Sequence, residues 1–257
     1  MKERTVNVKT ADGLMETFIT HPRGDGPYSP IVLFMDVWGL REELFDVARR
    51  IATTGYYCIV PDLYYRFGRV RHEFRNAKNE MISLTLLSEE QRNRVRAPLQ
   101  KLSDAMVVND TGALLDFMDR GEPVRPGAAG CLGYCMGGRH VFRAAGNFPN
   151  RFKASASMHG TRLVAEDGGA DSPHLTALKA QGELYCGFAE HDPYAALPLI
   201  KIIADAMQGA QVKFSYELHK GADHGYALPD RDIHDKQAAN RDWELMFAMW
   251  RRQLTAA

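Results

Sequence analysis

Two stretches in which apolar and polar residues alternate, residues 5–9 and 14–20, open the chain around a turn at Ala11-Asp12-Gly13. A period of two broken at a glycine predicts an antiparallel hairpin. The pattern then changes. Ile31-Val32-Leu33-Phe34-Met35 is apolar without interruption, as in a strand covered on both faces. Leu44, Phe45, Val47, Ala48 and Ile51 recur at helical spacing within residues 42–53, and residues 56–60 form a second continuous apolar run that ends at Pro61. Strand, helix and strand in succession are the unit of a parallel sheet.

Residues 64–102 break this rhythm. They are charged and favour helix, with eight Arg or Lys against four Glu between Arg66 and Arg96, which predicts a helical excursion at the rim of a site. A helix over 103–120 and a Gly- and Pro-rich connection over 121–127 follow. Alternation then resumes: strand 128–134, helix 136–146, strands 153–158 and 183–188, helix 194–207, strand 212–218 and a last helix near 233–253. A loop is expected at 168–173. The fold class is therefore α/β, a mostly parallel sheet flanked by helices in one domain over 1–257, with its ligand site at the carboxyl ends of the strands.

Lys plus Arg equal Asp plus Glu at 32 each, so no net field favours nucleic acid or an anionic membrane, and a small molecule is the expected partner. No run approaches the roughly 18 apolar residues of a membrane span, and the polar first ten residues do not resemble a secretion signal. A cytoplasmic location is expected; the oligomeric state stays open. The four cysteines, Cys58, Cys131, Cys135 and Cys186, are too few for a disulfide framework, and all but Cys135 read as small buried hydrophobes.

Cys135 stands apart because of its neighbours. Gly133-Tyr134-Cys135-Met136-Gly137-Gly138 follows one apolar run and precedes a helix pattern, the context of the G-x-S-x-G nucleophile elbow with sulfur in place of the serine oxygen. Glycines two positions either side let strand and helix approach closely, and a thiolate at a helix N-terminus is stabilised by free N–H groups and the helix dipole. In such an elbow the order along the chain is nucleophile, acid, histidine. His224, in Gly221-Ala222-Asp223-His224-Gly225-Tyr226 between the last strand and the last helix, is the candidate base; His219 ends the strand before it. Asp192 of Glu190-His191-Asp192-Pro193 is preferred over Glu190 as the acid that orients the imidazole. The Met136 N–H and the Val37 N–H, in the loop after the first buried strand, are candidate oxyanion donors. Asp36 in that loop is placed near the thiol as a modulator of its reactivity. Trp38, Arg75, His159 and Tyr226 are the candidates for substrate contact. Neither a metal site nor a cofactor is expected, since C-x3-C at Cys131 and Cys135 has no second ligand pair and no phosphate-loop or G-x-G-x-x-G pattern occurs.

Together Met35-Asp36-Val37-Trp38-Gly39-Leu40, the Cys135 elbow, Ala189-Glu190-His191-Asp192-Pro193 and Asp223-His224-Gly225-Tyr226 resemble the dienelactone hydrolase family of the α/β-hydrolase superfamily, across nearly the whole chain. The resemblance implies an α/β-hydrolase fold and a Cys/His/Asp triad that opens a small ester or enol-lactone through an acyl-enzyme, in the breakdown of aromatic compounds, with an acidic residue touching the thiol. Two departures are visible. Asp36 stands where well-known members have Glu, and Tyr226-Ala227-Leu228 stands where they carry an Arg that grips a substrate carboxylate. The alternatives are a general carboxylesterase or thioesterase with the same triad, a non-catalytic ligand-binding protein of the same fold, and a redox-sensing thiol.

Overall fold

In the computed structural model, which describes residues 1–165 and 169–254, the hairpin pattern becomes β1 (Lys2–Thr10) and β2 (Gly13–His21), paired antiparallel. The continuous apolar runs become β3 (Pro30–Phe34), β4 (Tyr57–Pro61) and β5 (Ala129–Tyr134), every residue of which is buried. β6 (Phe152–Met158), β7 (Glu183–His191) and β8 (Lys213–Asp223) complete one eight-stranded sheet in the order β1-β2-β4-β3-β5-β6-β7-β8. β2 pairs antiparallel with β4, and all strands from β4 to β8 run parallel. Parallel neighbours need crossovers, and helices supply them.

The helices are α1 (Glu42–Thr53), α2 (Glu89–Lys101), α3 (Asp104–Asp119), α4 (Met136–Asn147), α5 (Pro173–Ala177), α6 (Leu197–Gly209) and α7 (Lys236–Leu254). α1 and α7 meet where Arg50 lies over the Trp243 ring, while α3, α4, α5 and α6 pack in series. Apolar side chains from both layers form one core around the central strands.

Several boundaries differ from expectation for local reasons. α6 begins at Leu197 rather than 194 because Pro198 is tolerated only in a helix's first turn. β8 runs five residues beyond 218, which places His219 inside the strand and His224 directly after it. In the expected loop at 168–173, Gly168 lies outside the described residues, and Pro173 opens α5.

The excursion over 64–102 is only partly helical. Short 3-10 turns at Tyr65–Phe67 and Leu84–Leu86 flank an irregular stretch, and α2 alone is a full helix, begun by a Ser88/Gln91 capping box. The irregular stretch is fixed by isolated bridges from Gly39 to Arg71, Arg75 to Met81 and Met81 to Arg231. Its charge excess is reduced in space by carboxylates from outside the stretch. Arg66 binds Asp110 and Asp12, Arg71 binds Glu16, and Arg75 binds Asp230.

Candidate functional site

Parallel strands deliver their following residues to one edge, and here five of them deliver chemistry. β3 leads to Asp36, Val37 and Trp38, β5 to Cys135, β6 to His159, β7 into Asp192 and β8 to His224. A cavity of about 240 Å³ is lined by Asp36, Trp38, Cys135, His159 and His224, and closed above by residues 83–86 of the excursion.

Cys135 sits between β5 and α4 with φ 53° and ψ −114°, a left-handed conformation that raises its side chain out of the turn. The glycines around it are required by contact. A Cβ on Gly133 would run into the Gly137 carbonyl, and one on Gly137 into the Phe34 carbonyl. The Cys135 N–H donates to the Met158 carbonyl at 3.0 Å, tying the elbow to β6. Met136, as the first residue of α4, has an N–H outside the helical ladder. Among the described residues neither this N–H nor that of Val37 has a hydrogen-bond acceptor, so two donors stand free beside the thiol.

His224 Nδ1 lies 2.7 Å from Asp192 Oδ2, and Asp192 Oδ1 accepts the Tyr194 N–H at 2.8 Å, which fixes the carboxylate. The ring is 14% exposed, with Nε2 itself shielded. Burial opposes a charge on this imidazole, but the Cys135 side chain and then Asp192 outweigh it and push the pKa up to about 10. The Cys135 contact nonetheless falls short of ordinary hydrogen-bond geometry, as resting catalytic contacts often do before substrate tightens them. Glu190 is elsewhere: exposed, it accepts the Gly221 N–H at 2.8 Å. His191, exposed, lies on the cavity wall with Pro193.

Asp36 reaches the cavity wall but is not a free carboxylate. Both oxygens are held by Arg41, at 2.6 and 2.9 Å, and Oδ1 also accepts the Trp38 N–H. Arg41 binds Glu43 as well, at 2.5 Å. The repulsion of the thiolate expected of an unpaired carboxylate is thus largely neutralised. His159 is 1% exposed, its ring 4.9 Å from that of His224, and neither ring nitrogen has a partner. Burial, then the neighbouring His224, keeps it neutral.

Two expected substrate contacts are not brought to the cavity. Arg75 faces a separate surface hollow and is paired bidentately with Asp230 at 2.9 and 2.6 Å, because that carboxylate lies nearer than the site. Tyr226 is fully buried behind the base, and its hydroxyl donates to Asp242 at 2.6 Å. Asp242 on α7 also takes the Tyr185 hydroxyl at 2.6 Å and lies 2.8 Å from His219 Nε2, so this buried hub anchors the loop that carries His224.

One residue was missed in the sequence. Arg231, seven positions after His224, lines the cavity, is 7% exposed and lies 4.7 Å from the Trp38 ring centre. Among the described residues no carboxylate or hydrogen-bond acceptor engages its guanidinium. Burial lowers its pKa, the reverse of what a partner would do. The sequence signal that could have found it is an Arg in the loop after the base, between Asp230 and Asp232.

Sheet order, elbow and site at the carboxyl edge together define an α/β-hydrolase. The model of the dienelactone hydrolase family matches residues 15–254, and the chain belongs to that family. A "Putative carboxymethylenebutenolidase" of Synechocystis sp. is 24% identical over 255 residues, covering 99% of this chain and 98% of the relative. The crystal structure of a "Putative Dienelactone Hydrolase" from Klebsiella pneumoniae superposes with TM-score 0.83 at 21% identity, covering 97% of this chain and 98% of that one. A dienelactone hydrolase-like promiscuous phosphotriesterase from metagenomic libraries gives 0.77 at 18% identity, covering 98% of each chain. Family membership makes this protein a hydrolase. No helix among the described residues is long and apolar enough to cross a membrane, and no cluster of three potential metal ligands occurs among them.

Proposed function

We propose that the protein hydrolyses a small carboxylic ester or lactone bearing an anionic group, through a thioester on Cys135. The Cys135 thiolate attacks the carbonyl carbon, and the Met136 and Val37 N–H groups receive the developing oxyanion. The C–O bond breaks as imidazolium His224 delivers its proton to the leaving oxygen. Water then adds to the thioester while His224 takes its proton, and the C–S bond breaks to release the acid and restore the Cys135 thiolate beside imidazolium His224. Asp192 holds the ring in the required tautomer. Arg231 binds the substrate's anion, the role that a residue nearer the base fills in better-known members of the family.

The observation that carries this reading is the placement of His224 between the Asp192 carboxylate and the Cys135 elbow, in one cavity with an unpartnered buried arginine. Cys135→Ala and His224→Ala are each expected to lower ester hydrolysis by at least about a hundredfold in folded protein. Mass spectrometry of wild-type protein quenched during turnover should show one acyl group on Cys135. Wild-type rates in the alanine variants would end the assignment. A readout independent of substrate is the imidazole titration by NMR: removing the negative sulfur in Cys135→Ala should bring the His224 pKa down from about 10 toward its ordinary 6.5.

A further inference from the structure

Cys135 stands at the waist between two compartments. Besides the cavity that holds His224 and Arg231, a second of about 670 Å³ opens on the other side of the thiol, and the two share Val37, Leu84, Cys135 and Tyr194. The outer compartment runs along α2 and the start of α3. Leu99, Leu102 and Met136 give it apolar lining, and charged groups, Arg96, Arg162 and Asp104 among them, line the same compartment. Asp104 there is neutralised by Arg139 at 2.6 Å and Arg143 at 2.6 Å. Buried His140 on the same wall is held neutral by desolvation, its pKa falling to about 4.

The chemistry assigns the two sides. A tetrahedral carbon on Cys135 has three other substituents: an oxyanion, the leaving oxygen and the acyl arm. The oxyanion belongs at Met136 and Val37. His224, which must protonate the leaving oxygen, lines only the inner compartment, as does Arg231. The acyl arm is left with the outer one. A compact lactone fits within the inner space and uses none of this groove.

Resting on the function proposed above, we infer that the substrate is an acyclic ester whose anionic alcohol portion occupies the inner cavity at Arg231 and whose extended apolar acyl arm fills the outer groove along α2 and α3. The excursion then has two duties: residues 83–86 close the inner cavity, and α2 selects the acyl arm. Departure of the alcohol clears the side on which His224 stands, so water reaches the thioester next to its base while the acyl arm stays anchored.

The test uses esters of 4-hydroxybenzoate with straight acyl chains of increasing length. Values of kcat/KM are expected to rise by about threefold per added methylene, so that the octanoyl ester exceeds the acetyl ester by at least about a hundredfold. Leu99→Trp on one wall and Ala105→Phe on the other should collapse that ratio to within about fivefold, and either suffices if its partner variant fails to fold. A flat or falling chain-length profile in a wild-type protein whose activity depends on Cys135 overturns the groove and leaves the hydrolase reading intact. Activity that survives Cys135→Ala would overturn the hydrolase reading instead. The groove is then read through labelling of Cys135 by N-ethyl and N-octyl iodoacetamide. Faster octyl labelling that disappears in Leu99→Trp supports the groove, and equal rates overturn it.

Discussion

Arg41 and Arg231 are both buried near the same cavity, 3% and 7% exposed, and belong to the loops that follow β3 and β8, yet their surroundings are opposite. Burial opposes the charge of Arg41, but Asp36 and Glu43 outweigh it and hold the guanidinium firmly protonated. Arg231 feels the same desolvation, and Asp36 and Glu43 act on it only from beyond ion-pair distance while Arg41 opposes its charge. With the Trp38 face rather than a carboxylate against it, its pKa falls. A buried cation with two carboxylates is part of the framework, because each charge satisfies the other. One buried with neither is kept at a cost in stability, and the partner that would lower the cost is a ligand.

The largest expected effect breaks the framework side. Arg41→Met leaves Asp36 and Glu43 buried without their cation and should lower unfolding stability by about 3–5 kcal/mol, measured by urea denaturation. Arg231→Met should do the reverse. It removes an unpaired charge from the interior and should raise stability by roughly 1 kcal/mol or more, while KM for anionic esters climbs at least about tenfold and that for neutral esters changes little. Loss of stability in Arg231→Met, or equal kinetic effects on both ester classes, would erase the contrast. The smallest effect is expected from Asp36→Asn. With Arg41 still bound to Glu43, iodoacetamide should modify Cys135 at a rate within about threefold of wild type, since the charge removed was already neutralised. A much larger acceleration would show that Asp36 restrains the thiol despite Arg41.

The same two arginines show what a sequence can carry. The elbow was legible because its signal is local: Gly133 and Gly137 are demanded by backbone atoms a few residues away or in the adjoining strand. That Cys135, Asp192 and His224 would meet was legible because parallel strands deliver the residues that follow them to one edge of the sheet. The fate of each arginine was not. Which guanidinium finds a carboxylate is decided by pairs 44, 55 and 155 residues apart, for Arg66, Arg71 and Arg75 respectively. The charge excess counted along 66–96 was a property of the window, and it pointed to Arg75, whereas among the described residues the buried arginine that lines the cavity without an ion pair is Arg231. Tyr226 misled for a related reason: a loop residue beside the base looks exposed in sequence, and only the buried carboxylate of Asp242 turns it inward.

The bridge between Met81 and Arg231 carries a further consequence. The Met81 N–H donates to the Asp230 carbonyl at 2.7 Å, the Asp232 N–H to the Met81 carbonyl at 3.0 Å, and the Ser83 hydroxyl to Asp232 at 2.7 Å. The excursion therefore helps to hold the segment that carries Arg231, whose own N–H and carbonyl bond within the loop, to Leu228 and His234. Excursions of this kind open locally at a lower free energy than central strands, so the anion site should have a lifetime of its own. In hydrogen exchange the amides of Met81 and Asp232 should open together, well before those of β5. An anionic ligand bound at Arg231 should slow both by the same factor and leave the sheet unchanged.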